Sequence, residues 1–95
     1  MADFIILMHN DCSRETTGWD SYLDTLRATG RFEGGSAIGD GQSFRKEGTP
    51  GALTLQLDGF FRVRAANLAE VVVLLDGNPV YEAGGTVEIR ELPQS

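Results

Sequence analysis

The chain has 95 residues, of which 41% are hydrophobic and 23% charged, a composition typical of one globular domain spanning residues 1–95. Eight basic and fourteen acidic residues give a net charge of −6, which argues against binding to nucleic acid or an anionic membrane surface, since both require a basic face. The longest apolar run, Phe4 to Met8, is too short to cross a bilayer, and the single Cys12 cannot form an internal disulfide. Together these features predict a cytoplasmic protein.

Residues 3–9 predict a first strand that is apolar on both faces, which indicates that both faces are covered. A polar turn at 10–13 follows, and a helix is expected from about Thr17, with Thr17 as its cap and Asp20 at the third position. The apolar residues of this helix recur at helical spacing and predict a buried stripe. They are Trp19, Tyr22, Leu23 and Leu26. Gly30 is a natural stop.

The middle of the chain carries weaker signals. Residues 32–38 predict a strand loosened by two glycines, and residues 39–51 predict a hairpin or mobile loop. The segment LTLQL, residues 53–57, alternates in hydrophobicity and leads into a strand over Leu57–Ala65. Asp58-Gly59, where the two meet, is read as either a turn or a bulge.

The last third of the chain gives the clearest pattern. Asn67 and Glu70 form a capping box at the start of a helix whose body, LAEVVVLLD, is apolar almost all round and predicts a buried helix. Gly77-Asn78-Pro79 ends that helix. The final segment, GGTVEIREL, alternates like a half-buried strand.

The predicted order is strand, helix, strand, strand, helix, strand, which is the α+β pattern of ferredoxin-like βαββαβ folds, with an antiparallel four-stranded sheet. Two helices can cover one face of such a sheet. Strands one and four, and the third, are expected to be apolar on both faces, so the second face needs another cover. A second copy of the same sheet is the economical one, and the sequence therefore predicts a homodimer packed through its sheet faces.

Several segments resemble the YCII-related family, including its DGPF-type branch. The similar residues are Gly59-Phe60-Phe61, Asn67-Leu68, Asn78-Pro79, Gly84-Gly85, Val87-Glu88-Ile89-Arg90 and an opening strand that ends in His9. This resemblance covers residues 1–9 and roughly 57–92. It implies a dimeric α/β barrel, the dimeric version of the ferredoxin-like fold. It also implies an active site in the cleft between sheets, where members of the family place a histidine–aspartate pair.

His9 is the one histidine of the chain and the first candidate for proton transfer, with Asp11 or Asp58 as the carboxylate that would orient it. A strand-end histidine bonded to backbone or water is the plainer interpretation. Cys12 is a weaker candidate nucleophile, since no cysteine motif surrounds it. We expect no metal site and no cofactor, because the ligand spacings and the glycine-rich phosphate loops that such sites use are missing.

Arg62 and Arg64 share a strand face and could bind the carboxylate or phosphate of a small anionic ligand, or could pair with acidic side chains. Trp19 and Tyr22 could stack on a ligand, although their helical spacing favours core packing. Two functions remain open. One is a small-molecule enzyme that uses His9 in the cleft between the sheet and the first helix. The other is a non-catalytic module for ligand binding, oligomerisation or an accessory role.

Overall fold

The structure is a computed structural model that describes residues 1–53 and 56–94. Its strands and helices follow the predicted order, with one additional short helix. In chain order they are β1 (Ala2–His9), α1 (Trp19–Ala28), β2 (Phe32–Ala37), β3 (Leu57–Ala65), α2 (Leu68–Val73), α3 (Pro79–Glu82) and β4 (Val87–Leu92). The prediction of an α+β chain is confirmed. Part of the predicted strand segment 53–57 lies outside the described residues.

The four strands form one antiparallel sheet in the order β2-β3-β1-β4. The two central strands, β1 and β3, are therefore not neighbours in the chain, and each half of the chain supplies one central and one edge strand. This order confirms the predicted ferredoxin-like fold. In the register, Ile6 of β1 lies between Phe61 of β3 and Ile89 of β4.

One face of the sheet carries the hydrophobic core, because alternate side chains of the central strands point toward the helices. Ile6 and Val63 are fully buried at the centre of this face. The helices add apolar side chains to the same cluster, namely Tyr22, Leu26, Val71 and Val80, and the turn after α2 adds Leu75. All three helices thus cover the same face, as predicted for two.

The opposite face, which we call the outer face, is half-exposed in a single chain. The apolar residues Ile5, Leu7 and Phe60 lie at its centre and are partly buried. The expectation that β4 is apolar on both faces holds only at Leu92, which pairs with Asp3 on the outer face. Its other outer-face residues are Glu88 and Arg90, which pair with Leu7 and Ile5. The outer face is therefore an apolar patch with charged residues along its border.

Helix α1 begins later than predicted. Its first residue is Trp19, and the residue before it is Gly18, with φ of 84° and no side chain that caps the helix. Thr17 therefore does not act as the cap. The helix ends at Ala28, and Gly30 two residues later is the expected stop, since its φ of 74° is the left-handed conformation that glycine adopts readily.

The second helical segment is shorter and less buried than predicted. Asn67 caps it as expected, since its side-chain oxygen accepts a bond from the Glu70 N–H at 3.0 Å. The helix ends at Val73, and Asn78-Pro79 begins the separate helix α3 instead of serving only as a stop. Val72 and Val73 are 49% and 72% exposed, so burial is confined to one stripe.

The choice between a turn and a bulge at Asp58-Gly59 is settled by the strand register. Met8 pairs with Gly59 while His9 pairs with Leu57, so Asp58 is an extra residue in β3. This is a bulge inside a continuous strand. The bulged Asp58 also accepts a backbone bond from Ile38 at 2.9 Å, which fixes the point where the chain leaves β2 for the long connection to β3.

Candidate functional site

A cavity of about 550 Å³ lies between α1 and the β2–β3 side of the sheet. Helix α1 contributes Trp19, Leu23 and Arg27, which are spaced four residues apart and therefore share one helix face. The sheet contributes Phe32 and Phe61 to the facing wall. This volume is within the usual range for sites that hold a small organic molecule. The cleft between the sheet and the first helix, which we predicted as the site, therefore exists in the structure.

Aromatic rings form much of this wall. The rings of Phe32 and Phe61 lie 6.2 Å apart between centroids, and Tyr22 meets Phe61 edge-on at the same distance. Trp19 meets Tyr22 edge-on at 6.0 Å. Rings in such arrangements stabilise one another and hold fixed positions. Since Trp19 and Phe32 are only half-buried, their remaining surface is available to a ligand.

The cavity also reaches the end of β2 that is nearest the bulge. Apart from Arg27, its polar lining residues are Thr16, Ser36 and Asp58. Along the sheet edge it is lined by the backbone of Gly34 and Gly35. Asp58 is exposed, so its carboxylate is solvated. Of the predicted site residues, the cavity thus brings together Trp19 and Asp58.

His9 is not one of the residues that line this cavity. It ends β1 and is nearly buried, and its Nε2 lies 3.1 Å from Oε1 of Glu88 on β4. This contact lowers the pKa of the Glu88 carboxyl, with Arg90 adding to the effect and partial desolvation opposing it. The carboxylate that contacts His9 is therefore Glu88, and neither of the two aspartates that we predicted.

Asp11 holds a backbone junction together. Its carboxylate accepts bonds from the N–H of Thr86 at 2.7 Å and from the Thr86 hydroxyl at 2.6 Å, just before β4 begins. These two bonds are the main reason that the pKa of Asp11 lies below its ordinary value of 3.8. Because the folded state favours the ionised form, the bonds stabilise the fold at neutral pH, and this contribution is lost as the pH falls through the lowered pKa.

Tyr22 is a core residue. It is 6% exposed, and its hydroxyl donates a 2.7 Å bond to the carbonyl of Leu74, which connects α1 to the end of α2. Burial raises the pKa of its phenol. Its ring supports Trp19 and Phe61 from behind and does not itself line the cavity. The structure thus assigns Tyr22 the core position that its helical spacing favours.

Arg62 and Arg64 lie on the outer face, away from the cavity. Nε of Arg64 is 3.3 Å from Oδ1 of Asp3, and Arg62 donates to the carbonyl of Glu33 at 3.3 Å. With Asp3 and Glu33 they line a separate polar recess of about 290 Å³. The recess contains two basic and two acidic side chains. Pairing with acidic side chains, the second of our two interpretations, therefore describes Arg64.

Cys12 is half-buried beside Val80, with its sulfur 3.8 Å from the Val80 carbonyl oxygen.

No group of three or more histidine, cysteine, aspartate or glutamate side chains within residues 1–53 and 56–94 is arranged to hold a metal ion. In the same part of the chain, no helix is long and apolar enough to cross a membrane.

Four residues with functional contacts were not among the predicted site residues, namely Phe32, Phe61, Arg27 and Glu88. Arg27 and Leu23 continue the four-residue spacing from Trp19, so the cavity face of α1 was visible in the pattern. Predicting Glu88 as the partner of His9 would have required the register between β1 and β4, which places Glu88 beside the end of β1. That register depends on the sheet order and is not encoded in a local motif.

No protein-family model matches the chain, and no curated protein matches it. Among solved structures, the chain is similar to 5-chloro-2-hydroxyhydroquinone dehydrochlorinase (TftG) from Burkholderia phenoliruptrix AC1100, solved in complex with 2,5-dihydroxybenzoquinone. The TM-score is 0.54 with 16% sequence identity, over 98% of this chain and 95% of that chain. At this identity the similarity establishes a shared fold, and it agrees with the ferredoxin-like architecture described above.

Proposed function

We propose that the protein binds a small, planar, largely apolar molecule in the cavity between α1 and the β2–β3 side of the sheet. The observation that carries this proposal is the aromatic wall of the cavity, formed by Trp19, Phe32 and Phe61. Flat aromatic surfaces favour planar ligands, because stacked and edge-on ring contacts add to the burial of apolar area. The volume of about 550 Å³ is enough for one or two fused rings with substituents.

Two further findings support this function. The structure of TftG, which has a similar fold, was solved in complex with a quinone. A quinone is a planar ring, small enough for a cavity of about 550 Å³. We also propose that the chain is distantly related to the YCII-related family, because residues 1–9 and 57–92 resemble that family. The segments that resemble the family form β1, β3, α2, α3 and β4, so they include the two central strands of the sheet.

The proposal is tested by titrating the protein with 1-naphthalenemethanol and following amide shifts by NMR. We expect shifts at residues of the cavity and roughly tenfold weaker binding in Trp19→Ala and Phe32→Ala, because each change removes a ring contact. Phe44→Ala is the matched control, since Phe44 is 83% exposed and does not line the cavity. Equal weakening in all three variants, or shifts distributed over the outer face, would contradict the proposal.

A second candidate function is proton transfer by His9. The observation that favours it is the contact between His9 and Glu88, because a nearly buried imidazole held by a carboxylate has a fixed orientation. In this arrangement Glu88 has the orienting role first assigned to Asp11 or Asp58. Asp11 supports the start of β4 instead, and Asp58 lies next to Leu57, the register partner of His9.

The substrate in the name of TftG provides a first probe for this second candidate. Chloride release from 5-chloro-2-hydroxyhydroquinone is measured for the wild-type protein and for His9→Gln. If His9 transfers a proton, we expect a loss of about 10²- to 10⁴-fold in the variant. Cys12→Ser is the control for the alternative nucleophile. Equal rates in the wild type and His9→Gln would exclude His9 from the chemistry.

We also propose that two copies of the chain associate through their outer faces. Ile5, Leu7 and Phe60 leave an apolar patch there, and the charges at its border include both signs, so two copies can pair opposite charges. We expect light scattering to give twice the chain mass, and Leu7→Glu to give a monomer because it buries a charge in the interface. Val73→Glu is the control, since Val73 is 72% exposed on α2. A monomeric wild type would refute the association.

A further inference from the structure

Two charged side chains line the cavity, Arg27 and Asp58. Arg27 lies in the last turn of α1, and its guanidinium carbon is 5.7 Å from the centre of the Phe32 ring. A cation over an aromatic face is attracted by the electron density of the ring, which favours one position for an otherwise flexible side chain. The aromatic wall of the cavity thus has a positive charge beside it.

The two charges lie at opposite ends of the cavity. Phe32, under Arg27, begins β2, whereas Asp58 accepts the backbone bond from Ile38, just beyond the end of β2. Phe32 and Ala37 pair with Val63 and Gly59 of β3, which are four residue steps and roughly 13 Å apart at the usual rise of a strand. Because like charges repel, the Asp58 end disfavours an anion, and the Arg27 end is the position where an anionic group is stabilised.

The guanidinium of Arg27 is available for a new partner. Its ion pair with Asp24 is long, at 3.4 Å, and the two side chains are 58% and 80% exposed. Exposed ion pairs of this kind contribute little free energy, so a ligand anion can replace Asp24 at low cost. A guanidinium also presents paired N–H donors whose geometry fits the two oxygens of a carboxylate.

We propose that the ligand of this cavity is an aromatic monoanion, with its ring against Phe32 and Trp19 and its acidic group bound by Arg27. The inference rests on the proposed binding function and adds the charge of the ligand and its orientation. The overall charge of −6 gives an anion no long-range attraction to the protein. Selectivity for the anion therefore depends on the local contact with Arg27.

Three probes with the same ring system test the charge: 1-naphthoate, 1-naphthalenemethanol and 1-naphthylmethylamine. Titration calorimetry should give roughly five- to tenfold tighter binding of the carboxylate than of the alcohol, with the amine weakest. Arg27→Gln should remove the difference between carboxylate and alcohol while the alcohol still binds. Asp58→Asn should change carboxylate binding by less than about twofold, because the bound carboxylate lies at the opposite end of the cavity, beyond the screening length of salt. Arg45→Gln is the control, since Arg45 is an exposed arginine that does not line the cavity.

The outcomes separate this inference from the function on which it rests. If the alcohol binds as tightly as the carboxylate, or if Arg27→Gln keeps the preference for the carboxylate, the inference is overturned while aromatic binding stands. If none of the three probes binds, the proposed binding function fails, and the inference fails with it. A preference that Arg45→Gln abolishes as fully as Arg27→Gln would also overturn the assignment to Arg27.

Discussion

Asn78→Ala should lower the free energy of unfolding by about 2–4 kcal/mol, because the substitution leaves buried backbone donors without partners. Asn78 is fully buried, and its side-chain oxygen accepts 3.0 Å bonds from the N–H groups of Val80 and Tyr81 at the start of α3. Its side-chain nitrogen also lies 3.8 Å from the sulfur of Met8 in β1. Alanine can replace none of these contacts.

Asn67→Ala is the matched control for this prediction. Asn67 caps α2 through one bond to the Glu70 N–H, but that cap is exposed, so water can replace the lost oxygen. Its substitution should cost about 1 kcal/mol or less. Both values are measured by urea denaturation at equilibrium. If Asn67→Ala and Asn78→Ala lower the free energy of unfolding equally, burial of the cap does not determine the effect, and the explanation for Asn78 is wrong.

Gly35→Ala should also have a large effect, on both stability and ligand binding. A Cβ at this position of β2 would lie 2.6 Å from Cβ and 2.7 Å from Cα of Phe61 on the neighbouring strand. Backbone and Cβ atoms cannot rotate away, so β2 has to move off β3. We expect a loss of about 1–3 kcal/mol in the free energy of unfolding. We also expect weaker binding of 1-naphthalenemethanol, since Phe61 and Gly35 both line the cavity.

Gly41→Ala is the control, because a Cβ at Gly41 would meet no atom within 4 Å. Stability is measured by urea denaturation, and the pairing of β2 with β3 by amide hydrogen exchange. Faster exchange in β2 with slow exchange kept in β1 would locate the damage at this edge of the sheet. Wild-type stability and binding in Gly35→Ala would contradict the close approach of the two strands.

The periodicity of apolar residues predicted the fold well, because burial of one face produces that periodicity along a whole strand or helix. The alternation in Leu57–Ala65 and the capped start at Asn67 both correspond to observed elements. The prediction was wrong where a choice depended on neighbouring elements. Val72 and Val73 were expected to be buried, yet no element packs over them within the described residues, and both are exposed. A run of apolar residues does not by itself indicate how many sides of a helix are covered.

The candidate site was only partly predictable for the same reason. Trp19 was identified as an aromatic residue that could meet a ligand, and it lines the cavity. The pairing of His9 with Glu88 depends on β4 lying beside β1, and the separation of Arg62 from the cavity depends on which face of β3 the helices cover. Both facts come from the sheet order and not from spacing along the chain. The spacing from Trp19 places Arg27 on the cavity face of α1, but its contact with a ring follows only once Phe32 is placed beneath it.

The position of Trp19 has a spectroscopic consequence. It is the one tryptophan of the chain, and its half-buried indole forms part of the cavity wall. Indole emission depends on the polarity of its surroundings, and a ligand that displaces water from this wall changes that polarity. Tyr22, 6.0 Å away, can pass excitation energy to the indole. The protein therefore contains its own optical reporter of cavity occupancy, and compounds can be screened by intrinsic fluorescence without an attached dye.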